Sequence, residues 1–373
     1  MLLKNLVGFP SMSMDRYARS LVTALNEVPG WKVSSPDVKG PSIVERVAGK
    51  ANASRWGRLV RYPAEVRRLS HELRPDVVHV IDHSHANLLK ASEPSQSVIT
   101  VHDVIPMLSV AGELNFTVRR QVRYTFPRKL RQIERCARVI TVSESTKRQL
   151  LRFVDLPPER VHVTPLGVAD VFNPGREGHD RQAERQQVLA QYGIDRARKV
   201  VLHVCTRNRY KNSPSLLRAL AKLPDEFVLL RVGAPLFDDE QALAGDLGIE
   251  SRIINAGRVA TDEGLAAHYR SADVFAFPST FEGFGWPPLE AMACGCPTVV
   301  SNAASLPEVI GEAGPTVEPE DFEALAKAIL QLADDRATHE QKSLERAAHF
   351  TWAACATATA AVYDRVVAEV SGL

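Results

Sequence analysis

Short runs of β-branched and apolar residues recur along the whole chain, separated by longer stretches with helical spacing. The runs are Val77 to Ile81, Val98 to Val101, Val139 to Val142, Val161 to Thr164, Val200 to Val204, Phe227 to Val232, Val274 to Phe277 and Thr298 to Val300. This alternation predicts parallel strands joined by crossover helices, a doubly wound α/β architecture. A chain of 373 residues also exceeds the size at which one hydrophobic core keeps growing, so two such domains are expected. The pattern lapses between Phe172 and Arg198, where Asn173-Pro174-Gly175 precedes a charged stretch from Arg176 to Gln187. That lapse predicts the connection between a first domain over 1–175 and a second over 196–351. The Ala-rich segment over 352–373 reads as a helix with no sheet after it, which must dock on something already built; it is assigned to the first domain.

Composition narrows the class of function. Hydrophobic residues make up 45% and charged residues 24%, which is globular usage. The apolar runs are of strand length and too short to cross a bilayer. Met1 to Val7 reads as a first strand, because a secretory signal has a longer apolar stretch and a small-residue cleavage site; a cytoplasmic location is expected. Five scattered cysteines do not form a disulfide framework, and Cys294 and Cys296 have no second Cys or His pair at metal-finger spacing, so a structural role is expected for them. The net charge of +2 hides a division: residues 1–170 carry +10 and the remainder −8. The densest basic stretch, Arg119 to Arg138, reads as helical. Two readings of it stay open, a surface for an anionic acceptor or acidic lipid at the inner face of a membrane, and a solvated helix face. No nucleic acid is expected as a partner.

The segment richest in chemistry is Phe277-Pro278-Ser279-Thr280-Phe281-Glu282-Gly283-Phe284-Gly285-Trp286-Pro287-Pro288-Leu289-Glu290-Ala291-Met292-Ala293-Cys294-Gly295-Cys296-Pro297. A strand ends near Phe277, a glycine-flanked loop follows, and Pro287 and Pro288 suit the first turn of a helix. Free N–H groups at that helix start, with the loop amides of Gly283, Phe284 and Gly285, make a site suited to a diphosphate. Glu290 is expected in the first turn, where its carboxylate can accept from the hydroxyls of a ribose. Glu282, eight residues earlier, can bond a sugar carried by the diphosphate.

This whole string resembles the donor-site signature of the retaining glycosyltransferases of family 4, also called group 1. The resemblance covers nearly the whole chain. It includes Asn255-Ala256-Gly257-Arg258-Val259, Ser305-Leu306-Pro307-Glu308-Val309, Ile140 to Thr146 and Val163 to Val168. It implies the GT-B fold, two Rossmann-like doubly wound domains facing across a cleft, with the acceptor on the first and the nucleotide sugar on the second. The turn at Val259 is implied to contact the base.

Val98 to Val101 delivers His102 and Asp103 at the carboxyl edge of a strand, where open α/β sheets bind ligands. The resemblance implies that His102 reaches the transferred sugar, while Asp103 orients the loop or His102. Asp82-His83-Ser84-His85 ends another strand at the same edge. Asp82 and His83 join Asp103 as acceptor-side candidates, the alternative being a turn with two solvated histidines. In the second half, Leu202 to Asn212 matches the strand and loop that carry cationic diphosphate ligands, with Lys211 as one cation and Arg207 or Arg209 as the second. The chain departs from the pattern at Cys205, where glycine is usual, at Tyr210, where arginine is common, and in the opening loop from Gly8.

The expected reaction is metal-independent transfer of a hexose from a nucleotide diphosphate sugar to a glycan or lipid-linked acceptor, with retention and no further cofactor, in surface polysaccharide synthesis. Two other readings fit the same features: a nucleotide-sugar epimerase of the same fold, and a non-catalytic protein that binds sugar nucleotides.

Overall fold

The structure, a computed structural model, describes residues 1–3, 12–36, 62–114 and 118–372. The opening loop from Gly8 to Ser11 lies outside the described residues, as does all of the expected first strand beyond its first three residues. The chain divides into two compact units. The first takes Met1–Glu113, Thr117–Gly167 and Trp352–Leu373; the second consists mainly of Val168–Thr351.

In the first unit the elements run β1 (Leu2–Leu3), α1 (Met12–Asn26), α2 (Tyr62–Leu73), β2 (Val78–Val80), β3 (Ser97–Val101), α3 (Ile105–Val110), α4 (Arg120–Leu130), β4 (Arg138–Thr141), α5 (Glu144–Leu150) and β5 (Val161–Val163). The five strands form one parallel sheet in the order β1-β2-β3-β4-β5. β3 is buried along its full length, as a strand covered on both faces must be. The C-terminal helix (Trp352–Ser371) returns to this unit and packs beside α1. A buried polar chain fixes it: Tyr363 Oη lies 2.7 Å from His79 Nδ1, His79 Nε2 lies 2.8 Å from Thr100 Oγ1, and Tyr17 Oη lies 3.2 Å from the same hydroxyl. Groups buried this deeply must find partners, and these find each other.

The basic stretch is not one helix. α4 contains Pro127, a 3₁₀ turn takes over at Arg131–Arg135, and Arg138 opens β4. Arg119, Arg120, Arg123, Arg128, Arg131 and Arg135 are exposed, and so is Tyr124 at 56%. Lys129 is half-buried and donates to the carbonyl of Ser84, and Arg138 pairs with Glu369. Among the described residues no helix is long and apolar enough to cross a membrane.

The second unit continues with α6 (Arg181–Gln191), β6 (Lys199–Cys205), α7 (Ser213–Lys222), β7 (Phe227–Gly233), α8 (Asp238–Asp246), β8 (Ile253–Gly257), α9 (Asp262–Ser271), β9 (Val274–Phe277), α10 (Trp286–Ala293), β10 (Thr298–Ser301), α11 (Leu306–Ile310), β11 (Thr316–Val317), α12 (Phe322–Asp334) and α13 (Arg336–Ala347). Its parallel sheet has the order β11-β10-β9-β6-β7-β8. The chain therefore builds outward from β6 through β7 to β8, then returns to lay β9 on the other side of β6. A reversal of this kind leaves an opening at the carboxyl edge between the two strands, where ligands of such sheets bind. One core joins Val201, Leu229 and Ala276 of the sheet to Leu216 and Leu220 of α7 and to Leu325 and Ile329 of α12.

The stretch read as a connection is instead part of this unit. Arg181, Glu184 and Arg185 of that stretch lie on α6, which buries Val188 and Leu189 and brings these ions onto partners. Glu184 receives two bonds of 2.7 Å from Arg270, and Arg185 meets Asp273 at 2.9 Å. Charge density imitated a linker because these ions are satisfied by residues far away in sequence. Strands β8 and β11 also escape the sequence reading. β8 is partly exposed and contains Asn255-Ala256-Gly257, and β11 is two residues long.

Gly233 ends β7 with φ +112°, and a Cβ there would sit 2.0 Å from the carbonyl oxygen of Cys205. Both the torsion and the space demand glycine. Gly233→Ala is expected to destabilise the fold by about 3 kcal/mol, read as a fall in the denaturant midpoint; an unchanged midpoint contradicts this packing.

Candidate functional site

At the strand-order reversal, two loops face one another across the carboxyl ends of β6 and β9. The first runs from Thr206 to Asn212. It folds into a 3₁₀ turn at Arg209–Lys211 and ends on Asn212, whose left-handed conformation (φ +56°) starts α7. The second runs from Pro278 to Gly285 and ends on a glycine at φ +112°, which caps α10.

Three interactions stitch the loops together. The amide of Thr280 donates to the carbonyl of Tyr210 at 2.7 Å, and Asn212 Nδ2 donates to the carbonyl of Pro278 at 3.1 Å and, outside the two loops, to that of Pro319 at 2.6 Å. Lys211 Nζ meets Glu282 Oε1 at 2.6 Å, with side-chain exposures of only 9% and 12%. A pair so far from water binds strongly but has lost much hydration, and removing one partner alone typically costs about 3 to 5 kcal/mol. Lys211 also lies 4.8 Å from the centre of the Phe277 ring.

The second loop is held from below by Ser305, a fully buried residue that the sequence reading passed over as a site residue. Its hydroxyl lies 3.0 Å from the carbonyl of Glu282 and 2.7 Å from that of Phe284. Phe284 packs edge-on against Phe350 at 5.9 Å, which leaves Gly283 as the less buried residue of the turn. The signal was present in Ser305-Leu306-Pro307-Glu308, but nothing in the sequence ties that serine to a loop twenty residues earlier.

Two details of α10 correct the sequence expectation. Pro287 and Pro288 occupy its second and third positions and have no N–H, and the amide of Leu289 bonds the carbonyl of Gly285. The helix start therefore offers far fewer donors than a helix of ordinary sequence. Any amide cradle rests mainly on the loop of Gly283, Phe284 and Gly285. Glu290 is the fifth residue of α10 and belongs to its second turn. It is buried, and Tyr269 Oη donates to its Oε2 at 3.0 Å. Tyr269, itself fully buried, is a second residue the sequence reading did not single out.

The two loop arginines differ. Arg209 pairs with Asp239 at 2.6 Å and lies 3.9 Å from the centre of the Phe237 ring. Arg207 is exposed, lies 4.7 Å from the centre of the same ring, and has no carboxylate at ion-pair distance among the described residues. Asp238 and Asp239 open α8 and complement its positive end. Val259 follows β8 and is partly buried.

In the first unit, β2 and β3 bring Asp82, His83, His102 and Asp103 to one edge. His102 is buried and donates from Nε2 to the carbonyl of Ile81 at 2.8 Å, so its Nδ1 is the acceptor; its ring meets Tyr17 edge-on at 4.8 Å. Burial lowers its pKa against the opposing pull of Asp82. Asp103 accepts from the amide of Ile105 at 3.0 Å and so fixes the start of α3. His83 and His85 are not solvated: both are buried, and His83 accepts from the amide of His102 at 3.4 Å. Asp82 accepts from the amide of Ser84 at 2.8 Å. Burial alone would raise its pKa, but His85, His83 and that amide together hold it well below the carboxylate range.

His203, on β6 beneath the stitched loops, is fully buried. Its Nδ1 donates to the carbonyl of Ala276 at 2.9 Å, and Nε2 has no partner among the described residues. Burial, then the charge of Arg231, push its pKa down to about 3. A depressed imidazole is neutral in the folded protein and protonates first in the unfolded one. It therefore contributes stability in full above pH about 6.5, and this is lost as pH falls towards 3. The ring signals of His203 are expected to keep neutral chemical shifts at pH 5 by NMR; a midpoint near 6.5 contradicts this.

Comparison with known proteins fits this geometry. Residues 184–349 match the family described as glycosyl transferases group 1, and residues 16–171 match glycosyltransferase family 4. The chain is 29% identical to O-antigen chain mannosyltransferase B of Escherichia coli, over 96% of this chain and 97% of that one. It is 30% identical to the serotype-specific mannosyltransferase WbdA of Escherichia coli over 75% of its length, and there it spans only 36% of the relative. Among solved structures, sucrose-phosphate synthase from Thermosynechococcus elongatus superposes with a TM-score of 0.75 at 22% identity, over 99% of both chains. With one family model on each half and two parallel Rossmann-like units of the GT-B fold, the chain belongs to the group 1, family 4 glycosyltransferases.

Proposed function

We propose that this glycosyltransferase moves a hexose from a nucleotide diphosphate sugar to a hydroxyl of a glycan or lipid-linked acceptor, with retention and without a metal ion, in building a surface polysaccharide. The observation that carries the reading is the meeting of Lys211 and Glu282 beside Gly283, Phe284 and Gly285 at the strand-order reversal of the second unit. A cation, a carboxylate and a glycine turn are there concentrated where such sheets bind ligands. The names of the relatives make mannose the first sugar to test.

In this reading Lys211 and the loop amides hold the diphosphate, Arg207 adds charge at the rim, and Glu290 accepts from the ribose. Val259 lies against the base. Glu282 accepts from hydroxyls of the transferred sugar, and the neutral imidazole of His102 takes another. The bond from the anomeric carbon to the diphosphate oxygen breaks, and its electron pair stays with the diphosphate. The acceptor oxygen bonds the same face of the anomeric carbon, and its proton passes to the departing phosphate oxygen. The positive groups oppose the charge that grows on the leaving group, the usual place for electrostatic catalysis. The exposed arginines of α4 supply attraction to an anionic membrane surface where a lipid-linked acceptor resides.

Incubation with GDP- and UDP-linked hexoses and an acceptor panel, in the presence of EDTA, is expected to release nucleoside diphosphate only when acceptor is present. NMR of the product is expected to show the anomeric configuration of the donor. Glu290→Ala is expected to weaken nucleotide binding by about 1 to 3 kcal/mol, and Glu282→Ala to lower turnover with little change in nucleotide affinity. Unchanged affinity and turnover in both variants, or an inverted product, contradict the reading.

A further inference from the structure

The donor loop of this chain holds one well-buried cation, Lys211, and its charge is already shared with Glu282. Of the two loop arginines, Arg209 is engaged by Asp239, and both are exposed and lie against the half-buried ring of Phe237. Tyr210, not a further cation, stands beside Lys211. A second buried positive charge is nevertheless present, on the neighbouring strand.

Arg231 lies on β7, paired in register with His203, and is 3% exposed. Its hydrogen-bond partners are all neutral. Nη1 donates to the carbonyl of Ala234 at 3.2 Å and to Asn255 Oδ1 at 3.1 Å, while Nη2 lies 3.5 Å from both Cys205 Sγ and Ser213 Oγ. Among the described residues no carboxylate reaches ion-pair distance. Glu240 is the nearby buried acid, and it is committed to the amide of Phe237 at 2.9 Å. An arginine is rarely buried without an acid unless something else answers its charge.

Its surroundings do not answer it. Ser213 is the first residue of α7, so the guanidinium sits at the positive end of a helix, where a cation is disfavoured and an anion is favoured. A bulge in the pairing of β7 with β8 falls between Arg231 and Val232, the kind of irregularity that re-aims a side chain near a functional site. Cys205, in contact with Arg231, closes β6 immediately before the loop that carries Lys211. Its thiol pKa is raised by burial; Arg231 and then Lys211 oppose that shift, and Glu240 adds to it to a smaller extent.

We propose that Arg231 is the second cation of the donor site, a buried positioning residue whose charge, with that of Lys211 and the start of α7, creates a standing positive potential for the diphosphate of the nucleotide sugar. It acts through the loop above it without touching the ligand. The proposal rests on the donor-site reading given above. It explains why this chain tolerates tyrosine at position 210 and cysteine at 205: Cys205 is the contact that seats the guanidinium under the loop.

Calorimetric titration with a nucleoside, its monophosphate and its diphosphate separates charge from shape. Arg231→Met is expected to weaken diphosphate binding about tenfold, monophosphate binding less and nucleoside binding hardly at all, because the effect scales with ligand charge. Arg231→Lys, which keeps the charge, is expected to restore most of the lost diphosphate affinity. Should methionine prevent folding, Arg231→Gln retains a donor for Ala234 and gives the same readout. Full diphosphate affinity in the neutral variants, or an equal loss for all three ligands, overturns the proposal. If the unaltered protein binds no nucleoside diphosphate, the donor-site reading itself fails, which is a different result from either.

Discussion

Lys211 and Glu282 lie 71 residues apart and touch only because the strand order of the second sheet reverses between β6 and β9. The chain lays two strands outward from β6 and then returns to place β9 against its free side. Loops after adjacent strands of such a sheet diverge to opposite faces at the point of reversal, so an opening is left between them. The loops are held together by the bonds of Thr280 to Tyr210, Asn212 to Pro278 and Lys211 to Glu282, and Asn212 is tied as well to Pro319. Gly233 below and Ser305 behind hold the strand ends and the second loop in the positions those bonds require.

The electrostatics follow from that placement. Opposite charges meet in a nearly dry location, where attraction is stronger than at the surface and the cost of leaving water is also higher. By contrast, the exposed pair of Arg209 with Asp239 lies in solvent, and pairs of that kind contribute little to stability. Position relative to water, more than the number of charges, thus separates the cations able to serve a diphosphate from those that decorate the rim. In the acidic second half, Glu184 of α6 is held by Arg270 and Asp239 of α8 meets Arg209.

Much of this was legible in the sequence because it is local. Eight strands came from short β-branched runs, and the start of α10 came from Pro287-Pro288 behind a glycine turn. What was not legible depends on partners distant in the chain. The charges on α6 looked like a linker because Arg270, Asp273 and Glu340 are invisible to a reading of 176–187 alone. Glu290 was expected beside open helix amides, but the same two prolines that marked the helix start also removed donors from it, and Tyr269 supplies a bond no spacing rule predicts. A turn with solvated histidines was one of two open readings of Asp82 to His85, yet a 3₁₀ turn folds His83 and His85 under α4 and α2, where Phe126 and Tyr62 meet their rings. Ser305 and Arg231 share that explanation: ordinary residues by type, they gain meaning from what the fold puts against them.

Hydrogen–deuterium exchange of the protein with and without a nucleoside diphosphate locates the site without assuming which side chains matter. The account predicts added protection in the segments Thr206–Asn212 and Phe281–Trp286, with no change at the amino ends of β6 and β9. Protection confined to other segments, with these two exchanging as in the free protein, would contradict it.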